Sequence, residues 1–488
     1  MSITPIQKDP NLNNQDRYGL TSLMNEFFFG SNEKVLLELL EQKPDLNMRD
    51  YYDKNAIMYA FKYCSNEKVL LKILKQKPDL NIQERYLGQT VFMYALEYCS
   101  SEEILLEIVK QKPDFSIKNN QGYNSVLFAL LKCNKTKVLL EILKQTSHLN
   151  LLCDQFNYYS LLYVLKKLNK EVSIEILKQK PDLNIKNYDN ETVLANMFYC
   201  CKDKEILLEI VKQKLVLNNI EHESNSVLMK AFSYCTIDEV LLEILKQKPN
   251  LNIKNNIGNT ILMIAIFKKM NKEILLEILK QQPKLNLYNY LNETALMYAF
   301  KYCSNKEVLL EILKQKPNLN IKDYNNQTAL IYAIKYCSNK EVLLEILKYK
   351  PDLNIQDHNK KTALMHVIDH FSNKEILKYK LDLNIHDKDG CNIILIHAFR
   401  YCSNKEVLLE LLKQTNDFKI QDYSNKITLM YAFAYYSKKS NFEFYVLEKL
   451  YDQSSCEARK TFNSEYLKLR NKHKILPLIL FRKSKRNQ

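Results

Sequence analysis

Glycine is the scarcest informative residue: the 488-residue chain has 6, where ordinary usage of about 7% would give roughly 34. That shortage excludes collagen-like, Gly-linker and low-complexity classes, and it leaves no room for a P-loop or a dinucleotide fingerprint built from glycine turns around phosphates. Tryptophan is absent. Long apolar runs are missing too: the longest notable one, Ile475 to Phe481, has seven residues, against the roughly 20 needed to cross a bilayer. The opening MSITPIQKDPNLNNQD has no basic stretch followed by an apolar run, so no secretory leader is expected. These absences together predict a soluble protein of a cytoplasmic or host-cell interior, with nuclear entry open.

What is present suits a folded chain. Hydrophobic residues make up 46%, charged residues 26% and aromatics 11%, with 32 tyrosines. Length alone suggests about three domains at roughly 150 residues each. Internal self-similarity overrides that estimate. The segment from Asn325 to Asp357, NNQTALIYAIKYCSNKEVLLEILKYKPDLNIQD, recurs along most of the sequence. Its loop is marked at Pro10, Pro44, Pro78, Pro113, Ser147, Pro181, Leu215, Pro249, Pro283, Pro317, Pro351, Leu381 and Asn416. The steps are 34 residues, apart from two of 35 and one of 30, so about thirteen copies are expected.

Each copy predicts two short helices. In the copy beginning at Thr294, Ala295, Leu296, Tyr298, Ala299 and Tyr302 occupy the apolar positions of the first, and Val308, Leu309, Ile312 and Leu313 those of the second. Ser304 or Asn305 can cap the second helix, Glu307 suits its first turn, Lys314 and Lys316 suit its last, and Pro317 stops it. One such pair cannot bury its own apolar faces, so neighbouring copies must stack into a solenoid.

The unit resembles the ankyrin repeat. Thr294-Ala295-Leu296-Met297-Tyr298-Ala299 is similar to that family's TPLHxA signature, Glu307-Val308 with Ile312-Leu313 to its second helix, and Asp352-Leu353-Asn354-Ile355 to its DVNA entry. The departures are a period of 34 where the family has 33, Lys-Pro in place of Gly-Ala after the second helix, and larger aliphatics at core slots. The resemblance implies an all-α, ankyrin-type helical-repeat solenoid with short finger turns between helix pairs. It also implies a non-catalytic scaffold that binds a protein along its concave groove. We expect residues 1–450 to form the array and 451–488 a basic cap and tail.

Two places break the register. The second helix from Asn373 to Leu381 loses about one turn, with a residue gained near Gly390-Cys391-Asn392, and a milder shift lies around Leu151 to Leu165. Of the net charge of +15, residues 438–488 carry 13 basic and 5 acidic groups, so the repeats are only mildly basic. Arg482, Lys483, Lys485 and Arg486 could serve nuclear import, a phosphoinositide or nucleic acid, or merely solvate the end. No aromatic platform beside them supports sequence-specific reading of bases. The alternative function is therefore an adaptor, or a membrane- or nuclear-targeted protein, whose tail does the work with the repeats as spacer.

Other constellations have structural readings. Cys64, Cys99, Cys133, Cys201, Cys235, Cys303, Cys337 and Cys402 share one repeat position. Stacked helices lie roughly 8–10 Å apart, too far for disulfides, so a reduced ladder of small interior residues is expected. His366 and His370 have a zinc-compatible helical spacing, yet they occupy the slots of Tyr298 and Tyr302, and no HExxH glutamate accompanies them. Ring-for-ring packing is the expected role, with no metal and no cofactor. No nucleophile–base frame is visible, so no enzyme is expected.

Recognition is what remains. Just after the finger's Asp, Asn or Glu stand Tyr51, Arg85, Tyr188, Tyr290, Tyr324, His358, Lys388 and Tyr423. Tyrosine gives a large amphipathic contact with little entropy to lose, so these positions are either the partner-binding set or rings packed along the finger ladder. The series Tyr59, Tyr94, Phe128, Tyr163, Tyr298, Tyr332 and Tyr431 is expected in inter-repeat packing. The partner is expected to be a protein and the chain a monomer. The Lys, Asn, Ile and Tyr bias fits an AT-rich genome, and a host-directed role rests on family analogy alone. Five glycines, Gly19, Gly88, Gly122, Gly258 and Gly390, fall in finger turns, where other copies put Asp53, Asn190, Asn292, Asn326 or Asn425. Left-handed backbone is predicted at all of them.

Overall fold

A computed structural model describes residues 12–30, 32–146, 157–213, 215–218 and 225–370, with isolated positions at 397, 398 and 411. The chain divides into two compact units, Met1–Pro249 and Asn250–Gln488. Among the described residues the structure is helical, and extended backbone is limited to isolated antiparallel bridges such as Arg49 with Asn55 and Tyr288 with Thr294.

In the first unit the helices alternate between two rows. The first row is α1 (Ser22–Phe29), α3 (Ala56–Tyr63), α5 (Val91–Tyr98), α7 (Ser125–Lys132), α9 (Asn157–Lys167), α11 (Val193–Cys200) and α13 (Val227–Tyr234). The second is α2 (Glu33–Glu41), α4 (Glu67–Lys75), α6 (Glu102–Lys110), α8 (Thr136–Gln145), α10 (Lys170–Lys178), α12 (Lys204–Val211) and α14 (Asp238–Lys246). Each helix packs on its row neighbours, and α1 with α2, α3 with α4, α5 with α6, α7 with α8 and α11 with α12 also pack within the pair. The second unit repeats the scheme with α15 (Ile261–Phe267), α17 (Ala295–Tyr302), α19 (Ala329–Tyr336) and α21 (Ala363–His370) in the first row, and α16 (Lys272–Lys280), α18 (Lys306–Lys314) and α20 (Lys340–Lys348) in the second.

The two rows differ in burial because their surroundings differ. Helix α18 buries one stripe, Val308, Leu309, Ile312 and Leu313, and shows its Lys and Glu residues to solvent. Helix α17 is covered by both row neighbours and by its own second-row partner, and it buries Ala295 through Phe300. Each fully buried aliphatic contributes about 2 kcal/mol, and none of it is gained by a helix pair standing alone.

Local chemistry sets the ends. Most first-row helices begin at Thr, Asn or Ser caps whose side chains accept the third amide, as Thr90 does from Met93, Asn124 from Leu127 and Ser226 from Met229. Asn305, not Ser304, caps α18, accepting from Glu307 and Val308. Helices α3, α5, α7, α11, α13, α17 and α19 end at the cysteine position in extended conformation, with the Cys303 amide on the Ala299 carbonyl at 2.9 Å, whereas α1 ends at left-handed Gly30 and α15 at Lys268. Cys133, Cys235 and Cys337 are buried, while Cys64, Cys99, Cys201 and Cys303 are half-buried, and all are free thiols. The ladder is therefore a row of helix-ending residues at the core margin and not a wholly interior one; Cys402 lies outside the described residues. Burial pushes these thiols up.

The second-row helices end in an unexpected way. The lysine before proline takes left-handed backbone, with φ +52° at Lys77, +54° at Lys112 and +52° at Lys316, and Gln282 does so at +50°. Lysine thus performs the turn usually left to glycine at a helix C-terminus. The finger expectation also holds for Gly19, Gly88, Gly122, Gly258, Asp53, Asn190, Asn292 and Asn326, all with positive φ, and Lys360 joins them at +61°. Gly258 has a second reason to lack a side chain, because a Cβ there would lie 2.8 Å from Asn289 Cα. Gly390 and Asn425 are outside the described residues.

Three hydrogen-bond ladders join consecutive repeats within each unit. Gln76 Nε2 donates to the Leu40 carbonyl (2.9 Å), Gln111 to Leu74 (2.9 Å), and Gln315 to Leu279 (2.8 Å), so the glutamine after each of these second-row helices satisfies a carbonyl at the end of the preceding one. Asn47 Oδ1 accepts the Asp79 amide (2.9 Å), and Asn320 Oδ1 the Asp352 amide (2.9 Å). At the fingers, the Arg85 amide donates to the Tyr52 carbonyl (3.0 Å) and the Tyr324 amide to Leu291 (2.8 Å).

Candidate interaction surface

Each finger is folded by one acidic or amide side chain. Asp50 Oδ1 accepts the amides of Tyr52 (2.9 Å) and Lys54 (2.8 Å), closing the turn that Asp53 completes in left-handed backbone. Its other oxygen, Oδ2, accepts the Tyr59 hydroxyl at 2.7 Å, which ties the finger to α3. The same bridge recurs as Asp323 Oδ2 with the Tyr332 hydroxyl (3.0 Å) and as Asn289 Nδ2 donating to Tyr298 (3.2 Å). In the next copy the partner of Asp357 Oδ2 is His366 Nε2, at 2.9 Å. His366 is buried, so the ring-for-ring reading of that residue stands in the structure, and its ring sits where the other copies place tyrosine. Burial holds its imidazole below the ordinary histidine value, against the opposing pull of Asp357. Among the described residues no group of His, Cys, Asp and Glu has metal-binding geometry.

The inner tyrosine series largely packs as expected. Tyr94, Phe128, Tyr298 and Tyr332 are buried. Desolvation raises the hydroxyls of Tyr59, Tyr94 and Tyr332 well above the usual phenol range. Tyr332 also reaches Glu293 Oε1 at 2.9 Å, so one hydroxyl proton faces two carboxylates, and burial pushes the Asp323 carboxyl up. Tyr163 differs: it is 43% exposed, with the Lys167 ammonium over its ring. The turn before its helix lies outside the described residues. Tyr431 is also outside them.

The residue after the finger's polar anchor is held differently by backbone and side chain. Its amide belongs to the ladder, as at Tyr51, Arg85, Tyr290, Tyr324 and His358. The rings project outward: Tyr51 is 61% exposed, Tyr188 83%, Tyr290 75% and Tyr324 71%. The two non-tyrosine members are tethered to the preceding finger, Arg85 Nε to Asp53 Oδ2 at 3.0 Å and His358 Nε2 to the Tyr324 carbonyl at 2.7 Å. Lys388, Tyr423, Arg482, Lys483, Lys485 and Arg486 lie outside the described residues. Further exposed side chains on the same turns, Tyr52, Tyr86, Leu87 and Leu291, were not singled out from sequence. Their signal is present in retrospect as a bulky residue one or two places further into the turn.

At the start of the first unit, the fingers around Asp16 and Asp50 and the end of α1 enclose an open groove of about 790 Å³ lined by Tyr18, Phe28, Phe29, Tyr52 and Tyr59. Phe29 is 79% exposed there, and Phe28 stands edge-on to Tyr63 at 5.5 Å. Such a groove offers apolar contact with acidic groups beside it.

A sequence model of ankyrin repeats matches residues 268–357, in three copies. Among solved structures, the chain is similar to the ankyrin repeat domain of Bcl-3, described as a unique member of the IkappaB protein family. That likeness has 16% identity, covers 42% of this chain and 92% of the other, and has a TM-score of 0.34. No curated protein matches the sequence at a significant level. Residues 268–357 are thus ankyrin repeats by this match, and the helix pairs described on either side of them are consistent with the same repeat architecture. Ankyrin repeats are in general protein–protein interaction modules, and their family is typically non-enzymatic. No helix among the described residues is long and apolar enough to cross a membrane.

Proposed function

We propose that the chain is a non-catalytic scaffold that recognises a protein partner with the finger side of its repeats. The observation that carries this reading is the exposure, at one repeat register, of Tyr51, Tyr188, Tyr290 and Tyr324, with the amides of Tyr51, Tyr290 and Tyr324 fixed in the finger ladder. Hydrophobic burial would favour covering these rings, yet the fold uses only their amides. A rigid backbone that presents large amphipathic rings loses little entropy on binding, which is the property of an interaction hot spot. Arg85 and His358 complete the set, and Lys388 and Tyr423 continue it by register.

The test is capture of partners by the wild type beside a variant with Tyr51, Tyr188, Tyr290 and Tyr324 changed to Ser. Specific partners should be lost from the variant while its helical content stays intact. Identical capture by both would reject the finger surface.

A further inference from the structure

The charges of residues 250–370 are sorted by side. On the second-row helices lysine and glutamate neutralise one another, within helices as Lys280–Glu277 (2.8 Å), Lys314–Glu311 (3.1 Å) and Lys348–Glu345 (2.7 Å), and between helices as Lys272–Glu307 and Lys306–Glu341. The finger side is different. From Lys254 to Lys361 its fingers and first-row helices contain three carboxylates, Glu293, Asp323 and Asp357, and these are only 4%, 4% and 2% exposed.

All three carboxylates are used internally. Asp323 accepts the amides of Asn325 and Gln327 and the Tyr332 hydroxyl. Asp357 accepts the amides of Asn359 and Lys361 and faces His366. Glu293 is held by Asn289, Tyr332 and Lys301. The cations remain at the surface: Lys254, Lys322 and Lys360 are exposed on these fingers, and Lys268 and Lys269 are exposed in the turn that follows α15. Folding has thus hidden the negative charge of this side and left the positive charge in view, beside the exposed Tyr290 and Tyr324.

We infer that the finger side of residues 254–361 docks an extended acidic segment of a partner protein, with a carboxylate at about every third residue. This rests on the recognition function proposed above. The spacing follows from geometry: neighbouring helices pack roughly 8–10 Å apart, and an extended chain advances about 3.3 Å per residue. A peptide fits better than a nucleic acid, because bases need open ring faces on which to stack. Here lysines cover the faces of Tyr288 (Lys254, 4.7 Å), Tyr302 (Lys301, 5.1 Å) and Tyr336 (Lys335, 5.8 Å), and Tyr302 is also met edge-on by Phe267 at 5.3 Å, while the exposed rings Tyr290 and Tyr324 stand one repeat apart.

The experiment uses the full chain and fluorescence anisotropy with three labelled probes: a peptide with Glu at every third position and Ser and Tyr between, its Gln-for-Glu counterpart, and a short oligouridylate. Two variants are compared, Lys254→Ser/Lys322→Ser/Lys360→Ser on the finger side and Lys280→Ser/Lys314→Ser/Lys348→Ser on the second row, each checked for helicity. The Glu peptide should bind in a salt-dependent manner, the Gln peptide about ten-fold more weakly, and the finger-side variant should lose about ten-fold while the second-row variant stays within about two-fold. Absent binding, equal binding of the two peptides, equal loss in both variants, or tighter binding of the oligouridylate would each overturn the inference. If the tyrosine variant loses its partners while no acidic preference is found, the recognition function stands and the acidic partner falls.

Discussion

His366 Nε2 lies 2.9 Å from Asp357 Oδ2, in the place where Tyr332 meets Asp323 and Tyr59 meets Asp50. The neutral imidazole with its proton on Nε2 imitates the tyrosine hydroxyl as a donor to the finger carboxylate. Because burial lowers this pKa in the folded chain, the unfolded chain binds the proton more readily. The stability that depends on neutral His366 is therefore fully present above the unfolded value of about 6.5 and is lost as pH falls through the window below it. His366→Tyr should flatten that loss. Denaturant midpoints at pH 7.5 and 5.5 check this: wild type should fall further than the variant, and parallel falls would assign the acid sensitivity elsewhere.

Tyr59→Phe deletes a hydroxyl donor to a carboxylate, with an expected cost of about 1.5 kcal/mol. Tyr332→Phe should cost more, because Glu293 and Asp323 both lose the group they share. Urea unfolding monitored by circular dichroism ranks the two variants. A neutral Tyr332→Phe would show that the finger-to-helix bridge carries no stability.

Lys316, at φ +52° before Pro317, holds a conformation that costs an ordinary side chain about 1 kcal/mol. Lys316→Gly should relieve that cost and raise stability by about 0.5–1 kcal/mol, partly offset by the freedom glycine adds to the unfolded chain. Lys314→Gly, two residues earlier inside α18, should instead destabilise by about 1 kcal/mol. Opposite signs two residues apart are the readout in thermal unfolding.

Gln315→Ala removes the amide that satisfies the Leu279 carbonyl at the end of the preceding second-row helix, at an expected cost of about 1 kcal/mol. Tyr349 already stands at this position in the next copy, so Tyr349→Gln should recover a similar amount. Unfolding of the single variants and of the pair measures both.

The elements were legible because each is written locally. The four buried residues of α18, its Asn305 cap and its Pro317 stop lie within one repeat and obey helix periodicity and end chemistry. The glutamine and asparagine ladders were not legible, since Gln315 with Leu279 and Asn320 with Asp352 bond across 36 and 32 residues. A repeated Gln or Asn looks the same in sequence whether it meets water or a neighbour. The Lys-Pro ending was seen as a replacement for glycine, but its sequence did not show that lysine adopts glycine's own backbone. At the surface, register picked out Tyr51, Tyr188, Tyr290 and Tyr324, whereas the tethering of Arg85 and His358 depends on the preceding finger's position.

The central claim is that partners meet the finger side. It is tested most directly by placing a photo-crosslinking amino acid at Tyr324 in one protein and at Glu311, on the exposed face of α18, in another, and irradiating each with captured partner. Crosslinks from position 324 and none from position 311 are predicted. Crosslinks from position 311 alone would contradict the account.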